Sequence, residues 1–318
     1  MTFKLLLKFV EIQTKVASMF PVILGILFAV YRYGVINLKN VGLMIFSLLC
    51  IDMATTGLNN LMDYRRAIKR DGYGYEVHNV LGGKQFSEQQ AITSIVVLVI
   101  LAVSSGILLA LNTDWLVLLI GMASFGVAIF YSWGPLPISR TPLGEAFSGF
   151  FMGFVIFFLG VYINIYDLGH IVLQWHKLQL HFMMDIKEIS IIILASIPLV
   201  AGIANIMLAN NICDLEDDMI NKRYTLPSVI GRKNALRIFD GLYISAYVSW
   251  AILIAFRWIP FMGIIALLTA IPVYNMVQQF HKQQNKATTF VLAVKSFVLM
   301  SASYVLTMAM GIAIKYFF

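Results

Sequence analysis

Charge is missing from long stretches of this chain, and that absence constrains its fold more than any motif. Uncharged runs extend over Val16–Tyr31, Gln89–Thr113, Trp115–Ser139, Ala146–Tyr166, Ile189–Cys213, Gly241–Phe256, Trp258–His281 and Ser296–Ile314. Most approach the roughly 20 residues a helix needs to cross a bilayer core. A ninth run, Asn40–Met62, is broken only by Asp52. Lipid offers backbone groups no hydrogen-bond partners, so each run is expected to be helical. Charged residues make up 12% of the chain, about half the share usual in a soluble domain. With 60% apolar residues and a mean hydropathy of +0.83, a water-soluble globule would expose apolar patches prone to aggregate. A disordered chain, a nucleic-acid binder and a disulfide-built secreted module are excluded on the same grounds. The expectation is an all-α membrane protein, residues 1–318 forming a single domain of about nine transmembrane helices around a central cavity.

The bases orient those helices. With the N-terminus inside, the cytoplasmic segments carry Lys4, Lys8, Lys15, Arg65, Arg66, Lys69, Arg70, Lys84, Arg140, Lys222, Arg223, Arg232, Lys233, Arg237, Lys282 and Lys286, sixteen in all. The outer segments carry six: Arg32, Lys39, Lys177, Lys187, Arg257 and Lys315. This asymmetry satisfies the positive-inside rule, so the net charge of +7 is first a topology signal. No cleavable signal peptide is expected, because no small-residue cleavage site follows the first apolar run. The location implied is the bacterial cell membrane, with the polar residues described next at its cytoplasmic face.

Polar residues concentrate in two windows. Asn59-Asn60-Leu61-Met62-Asp63 closes the second span, and Asn210-Asn211-Ile212-Cys213-Asp214 closes the sixth, the same pattern 151 residues on. Both run into basic loops. Helix termination alone does not explain five acids and four amides within Gly57–Arg66 and Ala209–Asp218 of so uncharged a chain. A duplicated, pseudo-symmetric site facing one cavity explains them better.

Asn59 and Asp63 lie four apart and share a helix face, as do Asn210, Asp214 and Asp218. Carboxylates and carboxamide oxygens are hard ligands suited to Mg²⁺, which retains waters and is completed by substrate phosphates. Arg65, Arg66, Lys69 and Arg70 follow the first cluster, and Lys222 and Arg223 the second. A Mg²⁺-bridged diphosphate would therefore find cationic donors on its other side. An apolar tail lying among helices with 23 Phe and 16 Met completes the simplest ligand. A transporter using the acids as an ion site is the rival from another class, though such sites are usually built at mid-membrane on broken helices.

These residues resemble the UbiA superfamily of intramembrane aromatic prenyltransferases, whose members carry two Asp-rich motifs ending helices two and six. Here the motifs read Asn59-x₃-Asp63 with Asp71 beyond, and Asp214-x₃-Asp218. The 1,4-dihydroxy-2-naphthoate branch is more similar still, through Asn210 to Asp218, Lys222-Arg223-x-Thr225-Leu226, Tyr131-Ser-Trp-Gly134-Pro135 and Leu143-Gly144-Glu145. Where many relatives open helix one with Arg-Pro, this chain has Glu11-Ile12. The resemblance implies Mg²⁺ held by Asn59, Asp63, Asn210, Asp214 and Asp218. It implies a polyprenyl diphosphate whose charge Lys15, Arg65, Lys69, Arg140, Lys222 or Arg223 would balance. It further implies an aromatic acceptor, dihydroxynaphthoate or alternatively 4-hydroxybenzoate. Tyr131 and Tyr64 are the candidates to stabilise an allylic cation, and Asp71 or Asp217 to remove a proton.

Elsewhere the chemistry is sparse. Cys50 and Cys213 are expected to be packing residues. His170, His176 and His181 show no ligand spacing, and their loop, roughly Asp167–Glu188, is expected to form an amphipathic interfacial helix. Gly82-Gly83-Lys84 lacks the rest of a phosphate loop. Asp52, Asp240 and Lys295 fall within or at the edge of spans, where ionisable groups are functional suspects.

Overall fold

In the computed structural model, residues 3–66, 81, 86–176 and 179–317 are described. Among them, nine helical segments are long and apolar enough to cross a membrane. α1 (Phe3–Phe9) and a 3₁₀ turn (Ile12–Lys15) lead into α2 (Val16–Tyr33), followed by α3 (Leu38–Arg66), α4 (Glu88–Leu111) and α5 (Trp115–Ser132). The fifth span is composite, with α6 (Gly144–Ser148), a π-helical stretch (Gly149–Val155) and α7 (Ile156–Ile165). α8 (Ile186–Cys213) and short α9 (Leu215–Ile220) and α10 (Leu226–Ile230) precede α11 (Arg232–Ala255). α12 (Gly263–Leu267) and α13 (Ala270–Lys282) share the eighth span, and α14 (Phe290–Phe317) is the ninth.

Local chemistry sets several of these ends. Ser87 and Gln90 form a reciprocal capping box on α4. Asp114 Oδ1 accepts the Leu116 and Val117 N–H groups at 3.0 and 3.2 Å and starts α5. α5 stops at Ser132, seven residues short of its uncharged run, because Gly134 takes φ +117° and Pro135 follows. The eighth span breaks at Leu268–Thr269, because Pro272 in the first turn of α13 has no N–H to offer the Leu268 carbonyl. α11 begins at Arg232, nine residues before its uncharged run, since a helix can carry its charges beyond the bilayer.

The Asp167–Glu188 loop corrects an expectation. It is a β-hairpin rather than an amphipathic helix, with β1 (Ile171–His176) antiparallel to β2 (Gln179–Met184) and Ile171 opposite Met184. Ile, Val, Leu and Phe suit a pleated ribbon, and the backbone demand is met across the two strands. The Asp185 N–H donates to the His170 carbonyl at 2.8 Å to close it.

The chain divides into two compact units. The first comprises Met1–Val16 and Gly42–Pro137. Its core gathers Phe9, Val10, Leu61, Met62, Leu81, Phe86 and Ala91, with the Phe9 and Phe86 rings stacked at 4.8 Å. Gly57 has to be bare here, since a Cβ would lie 2.8 Å from the Phe9 ring. The apolar windows of α4 and α5 are only 17% and 11% buried, so both helices present most of their surface to lipid.

The second unit comprises Ala17–Val41 and Ile138–Phe318, and α8 is its most buried span, at 67%. Small residues permit close helix approach where lipid removes the hydrophobic drive for association. A Cβ on Gly153 would sit 2.6 Å from Val200 Cα, and one on Gly25 would sit 2.4 Å from the Phe157 carbonyl oxygen. At the other end of α8, Arg32 holds Glu188 bidentately at 2.6 and 2.7 Å, with Tyr33 OH donating to the same carboxylate.

Candidate functional site

Each acid cluster belongs to a different unit, and each is built differently. In the first unit, α3 carries Asp52, Thr56, Asn59 and Asp63 at helical spacing along one face. At the inner end of that stripe the Lys15 ammonium donates to Asp52 Oδ1 at 2.7 Å, to Thr56 Oγ1 at 2.5 Å and to the Asp52 carbonyl at 3.1 Å. The Lys15 side chain is 5% exposed. Asp52, which has no partner recognisable from sequence, thus belongs to a buried ion pair.

Toward the helix end, Asn59 Nδ2 donates to Asp63 Oδ2 at 3.3 Å, and Ser132 Oγ donates to Asn59 Oδ1 at 3.1 Å. Asp63 is exposed. Asn60 turns the other way, donating to the Phe9 carbonyl and to Glu11 Oε1, so it ties the N-terminal segment to α3. Arg65 pairs with Glu88 on α4. Tyr64 packs against the unit's core, and Tyr131 is half-buried beside Ser132. Lys69 and Asp71 lie outside the described residues.

Breaking a buried pair by removing one partner strands the other charge and costs about 3–5 kcal/mol. Asp52→Ala is therefore expected to lower the melting temperature of the solubilised protein strongly. Adding Lys15→Met should restore most of the loss, since no charge then remains buried. A double variant as unstable as the single one would show that the pair is not what Asp52 contributes.

In the second unit, α8 ends at Cys213 and α9 restarts almost in register, with Asp214 N–H donating to Asn210 O and Asp218 N–H to Asp214 O. The acids so stay one turn apart. Asp214 is paired with Lys286, from the loop before α14. Asp218 is buried, facing Arg223 and Thr225 at 3.4 Å. Burial pushes its carboxyl above the usual aspartate range, with Arg223 opposing. Arg223 also donates to the Ser139 carbonyl at 3.2 and 3.3 Å, and Tyr224 N–H to the Arg140 carbonyl, which docks the 138–140 turn beside the motif. Lys222 is exposed with φ +53°, and Asn210 is half-buried.

Lys286 and Ser132 complete these clusters with no motif spacing to announce them, whereas Thr225 and the buried Asn211–Glu145 hydrogen bond at 2.8 Å come from the motifs already read in the sequence. Lys286 is 72 residues from Asp214, so only the fold joins them. Among the described residues, no three His, Cys, Asp or Glu side chains gather as a ready-made metal centre. The donor chemistry nevertheless fits Mg²⁺, which asks for one or two carboxylates and takes its other ligands from water and phosphate. The Lys286 ammonium on Asp214 shows that this carboxylate already faces a cation.

Nine helices among the described residues, long and apolar enough to cross a membrane, fit a multi-pass membrane protein, and the likeness to known proteins makes it a prenyltransferase. The chain belongs to the UbiA prenyltransferase family, whose sequence profile matches residues 18–313. It is 28% identical over 310 residues to a 1,4-dihydroxy-2-naphthoate octaprenyltransferase of Bacillus subtilis (strain 168), covering 96% of this chain and 91% of that protein. The fold is shared with a UbiA homologue from Archaeoglobus fulgidus bound to GPP and Mg²⁺, with TM-score 0.67, 14% identity and coverage of 97% and 99% of the two chains. A UbiA homologue from Aeropyrum pernix K1 has TM-score 0.66 at 17% identity, covering 94% and 97%. Family membership replaces the transporter alternative.

Proposed function

We propose that the protein transfers a polyprenyl group from polyprenyl diphosphate to 1,4-dihydroxy-2-naphthoate, with loss of the ring carboxylate as CO₂, in menaquinone biosynthesis. The identity with the Bacillus subtilis enzyme over nearly the whole chain carries this reading. The Mg²⁺ and isoprenoid diphosphates bound to the archaeal homologues support its donor half.

Asn59 with Asp63, and Asn210 with Asp214 and Asp218, would hold Mg²⁺. Bound there, the metal supplies Lewis-acid neutralisation of the diphosphate and so improves it as a leaving group. The protein's own groups do the rest. Arg65, Lys69, Arg140, Lys222 and Arg223 would face charge that grows on the departing oxygen, and Lys15, held by Asp52 and Thr56, would act on it only from a distance. Asp71 is proposed to act with Asp63. Cleavage of the allylic C–O bond leaves a carbocation, which Tyr131 and Tyr64 would stabilise with their ring faces while the apolar helices exclude water. The electron-rich acceptor ring then attacks. The positive-inside bias supports a reading in which this chemistry takes place at the cytoplasmic face of a bacterial cell membrane.

The test uses membranes containing the full chain, Mg²⁺, a labelled polyprenyl diphosphate and a panel of acceptors. Dihydroxynaphthoate is expected to yield labelled prenylated quinol and ¹⁴CO₂ from its labelled carboxyl group. A product formed from 4-hydroxybenzoate alone would reassign the acceptor, and no product from any ring would overturn the acceptor half entirely.

A further inference from the structure

We infer that Glu145 is a positioning residue for the Asp214–Asp218 motif, acting through Asn211. The inference rests on the reading above that this motif holds Mg²⁺.

Glu145 and Asn211 are 4% and 1% exposed. Asn211 Nδ2 donates to Glu145 Oε1 at 2.8 Å, while the other two oxygens, Glu145 Oε2 and Asn211 Oδ1, are buried and make no hydrogen bond. Such a pair is expensive to keep, since buried acceptors lose water without compensation. Its location gives it a use. Asn211 lies three residues before Asp214 and seven before Asp218, one and two turns along the same helical face.

The contact is also set by the backbone. Glu145, Gly149 and Gly153 recur every four residues, and opposite them on α8 stand Asn211, Ala204 and Val200. A Cβ on Gly149 would lie 3.1 Å from Ala204 Cβ, and one on Gly153 within 2.7 Å of the Val200 backbone. The two segments run antiparallel in close approach, and the glycines fix their register. The carboxyl at the end of this row therefore meets Asn211 and locks the last turn of α8, which the backbone bonds of Asp214 to Asn210 and of Asp218 to Asp214 continue into α9.

A positioning role depends on reach and hydrogen bonding, whereas a metal ligand or counter-charge depends on charge. Glu145→Gln keeps the Oε1 acceptor and supplies N–H donors in place of Oε2. Glu145→Asp keeps the charge and withdraws the acceptor by one methylene. Mg²⁺ titration by calorimetry on the solubilised full chain, without substrate, reads the difference alongside the thermal melt. Glu145→Ala and Glu145→Asp are expected to weaken Mg²⁺ binding about 10–100-fold, as for outer partners of metal ligands. Glu145→Gln is expected to remain within about threefold of the unsubstituted protein, with turnover following the same order. The reverse order, with Asp retaining binding and Gln losing it, overturns the inference, because the charge itself would then act. Asp214→Ala separates this failure from failure of the metal assignment. Binding lost in Asp214→Ala but kept in Glu145→Ala and Glu145→Asp sinks the inference alone, and binding that survives Asp214→Ala sinks both.

Discussion

Asp218→Ala is expected to reduce prenyl transfer by about 10²–10³-fold or more, the scale of losing a principal charge-stabilising group. Asp218 is the more enclosed acid of its motif, fixed by its backbone bonds to Asp214 and Arg223 and facing Thr225. The enclosure also yields a prediction about stability. Burial raises its carboxyl value, so folding favours the protonated form. The corresponding stabilisation is complete below the usual aspartate range and is lost as pH rises through the raised folded value. Asp218→Asn should therefore melt at or above the unsubstituted protein near neutral pH without metal. The gap should close on acidification below the aspartate range. A variant that melts lower at neutral pH would mean that Arg223 outweighs burial. Activity should be lost in either case, and turnover near the unsubstituted rate in Asp218→Ala would remove this residue from the site.

The second large effect is structural. Gly153→Val is expected to cost about 3 kcal/mol, the upper end for overpacking, and to lower the yield of folded protein sharply. Its Cβ would meet Val200 Cα at 2.6 Å and Val200 N at 2.7 Å, both backbone atoms that cannot rotate aside. Gly126→Val is the control, because a Cβ there meets nothing within 4 Å. Thermal melts and size-exclusion profiles in detergent compare the two. Equal behaviour would show that the approach of the π segment to α8 tolerates side-chain bulk.

The spans are legible in the sequence because charge burial in lipid is costly enough to leave a mark on every helix. Their ends are less so. Arg232, Lys233 and Arg237 ride on α11 beyond the uncharged run, and Gly134 with Pro135 cuts α5 short inside one. The hairpin is missed because interfacial Leu, Trp and Phe suit an amphipathic helix and a pleated ribbon alike. Pairing between strands decides in favour of the ribbon. Within the clusters, the acid and amide spacing is local and readable. Their partners are not: Lys15 reaches Asp52, Glu145 reaches Asn211 and Lys286 reaches Asp214 across 37, 66 and 72 residues. Only packing brings such pairs together.

The π-helical stretch carries one further consequence. A π turn accommodates an additional residue within an otherwise α-helical path, and removing one residue from an α-helix rotates everything on one side by about 100°. Deleting a single residue within Gly149–Val155 would thus be absorbed by a return to α-helical winding, leaving both α7 and Glu145 seated. The same deletion between Glu145 and Gly149, on the α-helical side, would swing Glu145 away from Asn211. The π stretch is therefore the one part of the fifth span where chain length can change without re-aiming the side chains on either side of it.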